Sequence, residues 1–511
     1  MFIYKIIFLF HIIFTKLTCL DLRPKFIRAI YGFRNNINNT LNQKQHIKNH
    51  INNINKALDQ YKIDADKRAL WESFRLDFLN DNNIDIEKRK DLLMFHINST
   101  STYSNIIFEN MMECSLRASN VLIFITANNK SMSCEDYKCI KVFLKKTYFL
   151  NYICPDMYFK RSGISIKDES NNHFMFCLCF QLLYLNNISK TTLLNKYFFK
   201  YFELKFSSDG FLKEGSTFYS YSISNAVAKM LFLLNDSNID IINYNNLFKS
   251  ICSINDIDLD LININFGDKD GTILMPSLDD NNHFLQYCIN LTKGSDFDLS
   301  NNIHLIKVND LKIIVNSRKI YQYGTLGHYH DDYGHFNLYS KNQVIFDPGT
   351  LSYTDNNYRF DSSYFHNAPT INNSNSMLRK ANFEKNFNSQ DSKIVTDKYI
   401  SILRSNYFGS WSRKFALSEA LIEDNFNFNK SPIINIFMSL KPKVYSHEGM
   451  VNIFHIDDIQ VEITCNHFFT YNVQESIMAP SYGAPSKAYI LSMNFKKNTN
   501  NQLKWRIKCL N

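Results

Sequence analysis

The hydrophobic pattern of this chain changes once, near residue 290, and this change limits the folds that the chain can adopt. Before it, apolar side chains recur at helical spacing in segments joined by polar loops. After it, the apolar runs are short, β-branched or aromatic, and separated by turns. A chain of 511 residues is also too long for one compact core. The sequence therefore predicts an α+β protein with a helical domain over 23–290 and an antiparallel β-sandwich over 291–511.

The spacing of apolar residues also predicts individual elements. Helices are expected over 85–95, 106–116, 137–149, 172–185, 191–204 and 219–234, with less regular helical spacing over 69–79. Strands are expected over 303–308, 312–316, 343–346, 433–440, 451–456, 459–465 and 488–493. The segment His173–Leu185 is apolar nearly all round, which indicates a helix or strand buried on every side, as an inner helix of a two-layered helical ring would be. It is too short to span a membrane.

The first residues have two interpretations. Phe2–Phe14 is apolar apart from Lys5 and His11, which is long enough for the core of a signal sequence and too short to cross a bilayer comfortably. Residues 1–22 are therefore expected to be an export signal or an anchor, with a buried first helix as the equal alternative. Export would place the protein in the periplasm or at the cell envelope, and the alternative would place it in the cytoplasm.

Net charge limits the classes of ligand that the chain is expected to bind, and the cysteine content indicates whether disulfides are expected. The net charge of +9 is mild for this length and compatible with an anionic substrate, although a solvated basic surface is the simpler explanation. Arginine-rich stripes with interleaved aromatics and zinc-finger spacings are missing, which argues against nucleic acid. The 11 cysteines are odd in number and contain no Cys-x-x-Cys, so no disulfide framework is expected. No sequence feature indicates a stable protein partner.

The stretch Gly327–Asn367 concentrates potential metal ligands and acid–base groups. It holds four of the 14 histidines. If a strand begins near residue 326, the side chains of His328, His330 and Asp332 share one face of it. The run 344–346 is typical of the returning strand, with Asp347 at its end. Two imidazoles and two carboxylates in this arrangement suit a metal site or an acid–base site.

Several motifs resemble the heparinase II/III-like polysaccharide lyases. In the second half they are Gly327-His328-Tyr329-His330-Asp331-Asp332, then Val344-Ile345-Phe346-Asp347-Pro348-Gly349-Thr350, then Ser352-Tyr353-Thr354, then His366-Asn367. In the first half they are Asn171-Asn172-His173 and the run Asp209–Tyr219, in which an Asp-Gly pair precedes a Glu, a Ser and a Tyr. The order and separation of these motifs fit that family. The residues between and after its paired histidines are usually small, whereas here they are Tyr329 and Asp331.

The resemblance implies a fold and a set of site residues. The fold is an (α/α) toroid followed by an antiparallel β-sandwich, with first-half and second-half side chains facing each other across a cleft. The implied catalytic residues are Tyr219, His328, His173 and Asn172. The implied substrate contacts are Asn172, Glu214 and Arg359. The implied metal ligands are His330, Asp347 and His366, holding a mainly structural Zn²⁺ with water in the fourth position.

The implied activity is β-elimination next to a uronate in an acidic polysaccharide. The substrate carboxylate must be neutralised, the C5 proton removed and the leaving oxygen protonated. Asn172 supplies neutral donors for the carboxylate, and His173 and His328 add further donors. Tyr219 is assigned as the acid and, depending on the stereochemistry at C5, also as the base, with His328 as the partner base.

Simpler roles compete with some of these assignments. His335 is expected to be a hydrogen-bonded core residue. Glu214 is as well explained by bracing the turn before Tyr219, and Arg359 by a surface position. At the level of function, two alternatives remain beside the lyase. One is a non-catalytic glycan-binding or polysaccharide-assembly protein with the same fold, and the other is a hydrolase that uses the metal to activate water.

Overall fold

The computed structural model of the chain describes two compact units. The described residues are 44–64, 71, 73–81, 83–99, 110–153, 172–187, 216, 223, 266, 303–318, 330–351, 363–371, 390–406, 408–447, 450–481 and 484–510. The first unit holds those up to 187 together with Ile223, and the second holds Ser216, Phe266 and those from 303 onward. The expected segment 1–22 and the expected boundary near 290 lie outside these ranges.

The first unit is helical in all its described regular structure. Its helices are α1 Gln45–Asp64, α2 Ile86–Ser99, α3 Met111–Asn128, α4 Cys134–Ile153 and α5 Asn172–Asn187, with short 3₁₀ helices at Asp77–Asn80 and Asn129–Ser131. The helices expected over 85–95, 137–149 and 172–185 are thus confirmed with wider bounds. The helix expected over 106–116 begins at Met111 and continues to Asn128. The helices expected over 191–204 and 219–234 fall outside the described residues.

The irregular spacing over 69–79 does not make one helix. The chain forms turns there and a 3₁₀ helix from Asp77, because Leu76 adopts a left-handed conformation with φ 62°. Helix α3 begins where a side chain caps it. Asn110 accepts from the backbone N–H groups of Met112 and Glu113 at the start of α3, which satisfies donors that a helix N-terminus leaves open.

Helix α5 is buried through its middle. Its residues from Met175 to Leu183 are all buried, and it packs against α3 and α4. This confirms the prediction, made from its all-round apolar character, of an element buried on every side. Within the parts of the chain that the structure describes, none of the helices combines the length and the apolar character that crossing a bilayer requires.

The second unit contains two antiparallel sheets. Its strands are β1 Ile303–Val308, β2 Leu311–Asn316, β3 Phe336–Tyr339, β4 Gln343–Ile345, β5 Thr370–Ile371, β6 Gln390–Val395, β7 Tyr399–Asn406, β8 Gly409–Ala416, β9 Leu421–Phe428, β10 Pro432–Met438, β11 Lys443–His447, β12 Val451–Ile456, β13 Ile459–Cys465, β14 Thr470–Ser481, β15 Ala484–Asn494 and β16 Asn501–Cys509. The first sheet has the order β1-β2-β3-β4-β10-β15-β14, with β5 beside β10. The second has the order β11-β12-β13-β16-β9-β8-β7-β6. Each of the seven expected strands is present within a few residues of its predicted bounds.

The two sheets pack face to face around one core. Phe336 of β3 in the first sheet lies with its ring centroid 5.9 Å from that of Phe415 on β8 and 6.1 Å from that of Trp505 on β16. Both of these partners belong to the second sheet. Burial alternates along β13 with a period of two residues, as expected for a strand with one face on the core. The β-branched and aromatic residues of the second half therefore form a sandwich.

The strand expected to begin near residue 326 does not extend through Asp332. Residues 331–335 form bends and turns, and β3 begins at Phe336. The turn closes when the N–H of His335 donates to the carbonyl of Asp332 at 2.9 Å. Gly334 has φ +80°, a conformation that side chains with a Cβ disfavour. Asp332 therefore does not share a strand face with His330.

Gly334 is expected to be required for this turn. A Cβ at position 334 would lie 2.3 Å from Cη2 of Trp411 on β8, at a backbone φ that is already strained for alanine. We expect Gly334→Ala to lower the free energy of unfolding by about 3 kcal/mol, from backbone strain and overpacking together. Denaturant unfolding measures this. Ser410→Ala, on the exposed face of the same strand, is the control, and equal stability of the two variants would contradict the steric argument.

Candidate functional site

Three potential metal ligands from three separate segments meet in the sandwich unit. His330 precedes β3, Asp347 follows β4, and His366 follows the 3₁₀ helix Ser363–Phe365. One ligand atom from each lies within 4.8 Å of the others, and all three side chains are buried. Asp347 Oδ1 is 3.6 Å from Nδ1 of His330, and its Oδ2 is 3.5 Å from Nδ1 of His366. The structure thus brings together the three residues that the family resemblance implied as ligands.

Some polar atoms of this group have partners and others do not. Oδ1 of Asp347 accepts from the N–H of Gly349 at 2.9 Å, and Nε2 of His330 lies 3.1 Å from the hydroxyl of Thr350. Asp347 Oδ2 and both ring nitrogens of His366 have no hydrogen-bond partner among the described residues. Leaving buried polar atoms unpaired costs about 1–3 kcal/mol each. Two imidazoles and one carboxylate are a donor set that fits Zn²⁺.

Burial and charge favour the protonation states that a metal requires. Burial lowers the pKa of His366 well below its ordinary value, which keeps the ring neutral. Burial alone would raise the pKa of Asp347, but the neighbouring imidazoles of His366 and His330 outweigh it and lower the pKa. Neutral imidazole and ionised carboxylate are the forms that coordinate metal ions.

His335 lies beside these residues but is engaged elsewhere. Its Nδ1 accepts from the N–H of Asn367 at 3.0 Å, and its Nε2 lies 3.1 Å from Oδ1 of Asn337. Its ring centroid is 5.2 Å from that of His366 in an edge arrangement. The expectation of a hydrogen-bonded core histidine is confirmed. Because both ring nitrogens have partners, His335 packs against the group without adding a donor to it.

Asp332 is a further buried carboxylate near the group. Its Oδ2 lies 3.4 Å from Nη2 of Arg318. Burial raises the pKa of Asp332 to about 7, because Arg318 offsets only part of the desolvation and Asp347 adds a like charge. Sequence reasoning did not single out Arg318.

A buried ion pair in the second sheet supports the segments that carry His335 and His366. Arg413 of β8 donates to both carboxylate oxygens of Asp424 on β9, from Nε at 2.6 Å and from Nη2 at 2.8 Å. The same guanidinium donates to the carbonyls of Gly334 at 3.0 Å and Asn367 at 2.7 Å. Sequence reasoning missed this pair. The sequence does carry one signal for it. Arg413 is a charged residue at an inward position of an alternating strand, between Trp411 and Phe415.

Asn367 links the segment of His366 to the start of β3. Its side chain accepts from the N–H of Phe336 at 3.0 Å and donates to the carbonyl of Phe336 at 2.7 Å. This pair of bonds mimics the pairing of a neighbouring strand. His366 is therefore attached, through the next residue, to the first residue of β3.

The remaining predicted site residues are described in part or not at all. Tyr219, His328, Glu214 and Arg359 lie outside the described residues. Asn172 is the first residue of α5.

His173 follows Asn172 and is half-buried. It acts electrostatically on Glu113, a buried carboxylate in the first turn of α3. Burial would raise the pKa of Glu113, but Arg75 and, less strongly, His173 lower it. Arg75 donates to both oxygens of Glu113 at 2.7 Å.

The neutral ring of His335 predicts a loss of stability in acid. Burial lowers its pKa to about 4, whereas the unfolded value is about 6.5. Its contribution to stability is therefore complete above about pH 6.5 and is lost as the pH falls towards 4, by an amount on the order of 3 kcal/mol. We expect the stability difference between the wild type and His335→Gln to shrink over this range, measured by denaturant unfolding with a chelator present. Exposed His467 provides the control His467→Gln, and parallel pH profiles for His335→Gln and the wild type would refute the assignment.

The fold of this chain is similar to the folds of solved polysaccharide lyases. The crystal structure of HepC, a heparan sulfate lyase from Pedobacter heparinus, aligns with a TM-score of 0.52 and 13% identity over 87% of this chain and 76% of that chain. A crystal structure of heparinase III aligns with a TM-score of 0.57 and 12% identity over the same shares of the two chains. No family model and no curated protein matches the sequence. Helices in the first half, two antiparallel sheets in the second and this likeness together show that the chain has the heparinase III fold.

Proposed function

We propose that this chain is a polysaccharide lyase that cleaves an acidic, uronate-containing glycan by β-elimination. The observation that carries the proposal is the group formed by His330, Asp347 and His366. These residues belong to motifs that resemble the lyase family, and they meet, buried, in a chain with the heparinase III fold. A fold by itself does not fix an activity, so the agreement between the motifs and the geometry is the supporting point.

The chemistry requires three groups at the uronate. The proton at C5 is acidic only when its carboxylate is neutralised, because the conjugate base is an enolate spread over that carboxylate. A base removes the C5 proton, a C4–C5 double bond forms, and the C4–O bond to the leaving sugar breaks. An acid then delivers a proton to the leaving oxygen. The product carries an unsaturated uronate at its new end.

In this proposal the motif residues divide these tasks. Asn172 and His173 donate hydrogen bonds to the substrate carboxylate. His328 accepts the C5 proton, and the phenol of Tyr219 protonates the leaving oxygen. Glu214 and Arg359 contact the neighbouring sugars. A neutral amide together with imidazole donors can stabilise the enolate without a strong positive charge on the resting enzyme.

His330, Asp347 and His366 hold Zn²⁺ in the same proposal. The support is the donor set itself and the unpartnered atoms of Asp347 and His366. When bound, the ion supplies a fixed crosslink between three loop segments, so its contribution is mainly structural.

The helical unit is an (α/α) toroid in this proposal. The support is the all-round burial of α5, which suits an inner helix of a two-layered ring. The apolar segment Phe2–Phe14 supports export to the periplasm or the cell envelope, where a lyase meets polymeric glycans.

The first test is product formation by the wild type and by Tyr219→Phe. The purified protein is incubated with uronate polymers, including glycosaminoglycans and alginate, and the ultraviolet absorbance of the unsaturated uronate is followed. We expect activity in the wild type and a loss of at least about a hundredfold in Tyr219→Phe, the usual contribution of a general acid. Tyr221→Phe, two residues away, is the matched control. Full activity of Tyr219→Phe would end this mechanism, products without the absorbance would indicate hydrolysis, and no products from any polymer would indicate a glycan-binding protein.

The second test is metal content. Protein purified without added metal is expected to contain about one zinc ion per chain by elemental analysis, because a buried set of two imidazoles and a carboxylate retains Zn²⁺. His366→Ala removes one of the three ligands and should lose the ion, whereas the exposed His467→Ala should retain it. Equal zinc content in the two variants would show that the metal, if present, binds elsewhere.

A further inference from the structure

A second buried charge cluster ties the segment of His330 to the opposite sheet. Asp331, the residue after His330, accepts through Oδ1 from Nη1 of Arg404 at 2.5 Å. Arg404 belongs to β7 of the second sheet, whereas the segment of His330 leads into β3 of the first. The two side chains are only 7% and 10% exposed. This contact therefore bridges the sandwich next to a proposed metal ligand.

Arg404 is itself held from the other side. It lies directly opposite Asp391 in the pairing of β6 with β7. Its Nε and Nη2 donate to the two oxygens of that carboxylate at 3.0 and 3.1 Å. Such a bidentate arrangement fixes the plane of the guanidinium. Arg404 is thus an oriented group that presents Nη1 to Asp331.

The ring of Tyr333 completes the cluster. It lies 4.9 Å from the guanidinium carbon of Arg404, within the range of a cation–π contact. Its hydroxyl donates to the carbonyl of Ser392 at 2.9 Å. Two residues of the segment 331–333 are therefore anchored to β6 and β7 by their side chains. Such anchors matter because this segment has turn geometry and precedes the ladder of β3.

The burial of Arg404 argues against direct contact with a substrate. Three of its five N–H groups already face carboxylates, and the side chain is almost inaccessible. The remaining task that fits the geometry is to hold the backbone at Asp331. The carboxylate of Asp331 reaches Arg404 directly.

We propose that Asp331, Arg404 and Asp391 form a clamp that positions His330 for metal binding. The inference rests on the proposed zinc site and adds three positioning residues to it. With the clamp intact, the backbone at 331 is fixed, and the imidazole of His330 is held near Asp347 and His366. Without it, the segment keeps its turn but gains freedom at the residue next to the ligand, and the ion binds more weakly.

The test is zinc affinity, measured by competition with a chromophoric chelator, in Asp331→Ala, Arg404→Gln and the double variant. We expect each single change to weaken binding about tenfold, the lower end of the usual effect of residues that orient metal ligands. Because both changes break one contact, the double variant should bind no more weakly than the worse single variant. Asp331→Asn, which keeps the acceptor oxygen, should retain most of the affinity.

The controls separate positioning from general stability. Arg506→Gln removes an exposed pair with Glu462 at 3.4 Å in the same sheet and should leave zinc affinity unchanged. Melting in the presence of a chelator shows whether each variant is folded without metal. If Arg404→Gln does not fold, the comparison of Asp331→Ala with Asp331→Asn decides the question, because both keep the pair of Arg404 with Asp391.

Three outcomes distinguish the failures. Wild-type affinity in folded Asp331→Ala overturns the clamp and leaves the zinc site standing. If the losses of zinc affinity in the two single variants add in the double variant, the clamp is also overturned, because the two changes then act independently. A wild-type protein that binds no zinc overturns the metal site and the clamp together, whatever the variants do.

Discussion

The ion pair between Arg413 and Asp424 is the interaction on which the arrangement of the site depends. Both side chains are fully buried, and removing two charges from water costs several kcal/mol for each ion. The cost is offset by complete hydrogen bonding. Asp424 also accepts from the indole N–H of Trp505 at 2.9 Å, and Arg413 reaches two backbone carbonyls of the opposite sheet. A single guanidinium therefore joins a strand pair of one sheet to two loop segments of the other.

These contacts explain how residues in turns are held rigidly inside the sandwich. The residues 330–335 and 366–367 lie outside the strands. Asn316 of β2 pairs with the backbone of Gly334 and His335, and side chains hold much of the rest. Arg413 binds the turn at Gly334 and the backbone of Asn367, and Asn367 pairs with Phe336. Arg404 holds the beginning of the segment 330–335 in the same way, through Asp331. In each case a buried arginine of the second sheet fixes a loop of the first.

The electrostatics of the group agree with a role in holding a cation. Burial keeps the imidazole of His366 neutral, and the surrounding imidazoles favour the ionised form of Asp347. Most buried polar atoms in the neighbourhood have hydrogen bonds, as those of His335 do. Oδ2 of Asp347 and both ring nitrogens of His366 have no hydrogen-bond partner among the described residues. A cation there would connect the three segments that carry His330, Asp347 and His366.

The sequence determined most of the described elements and singled out His330, Asp347 and His366, which the structure brings together. Apolar and polar side chains alternate over Ile459–Cys465 because one face of that strand is buried. Helix α5 is apolar all round because its middle is buried on every side. Both patterns are local, so the sequence shows them. Only the tertiary structure decided the turn before β3. The side chains of this segment alternate as in a strand, and the turn becomes evident only where Trp411 of β8 packs against Gly334. It also decided the contacts that Arg404 and Arg413 make with the loops of the first sheet. Arg413 meets partners 46 and 79 residues away, and a contact of that separation leaves no period in the sequence, because it depends on two sheets closing over one core.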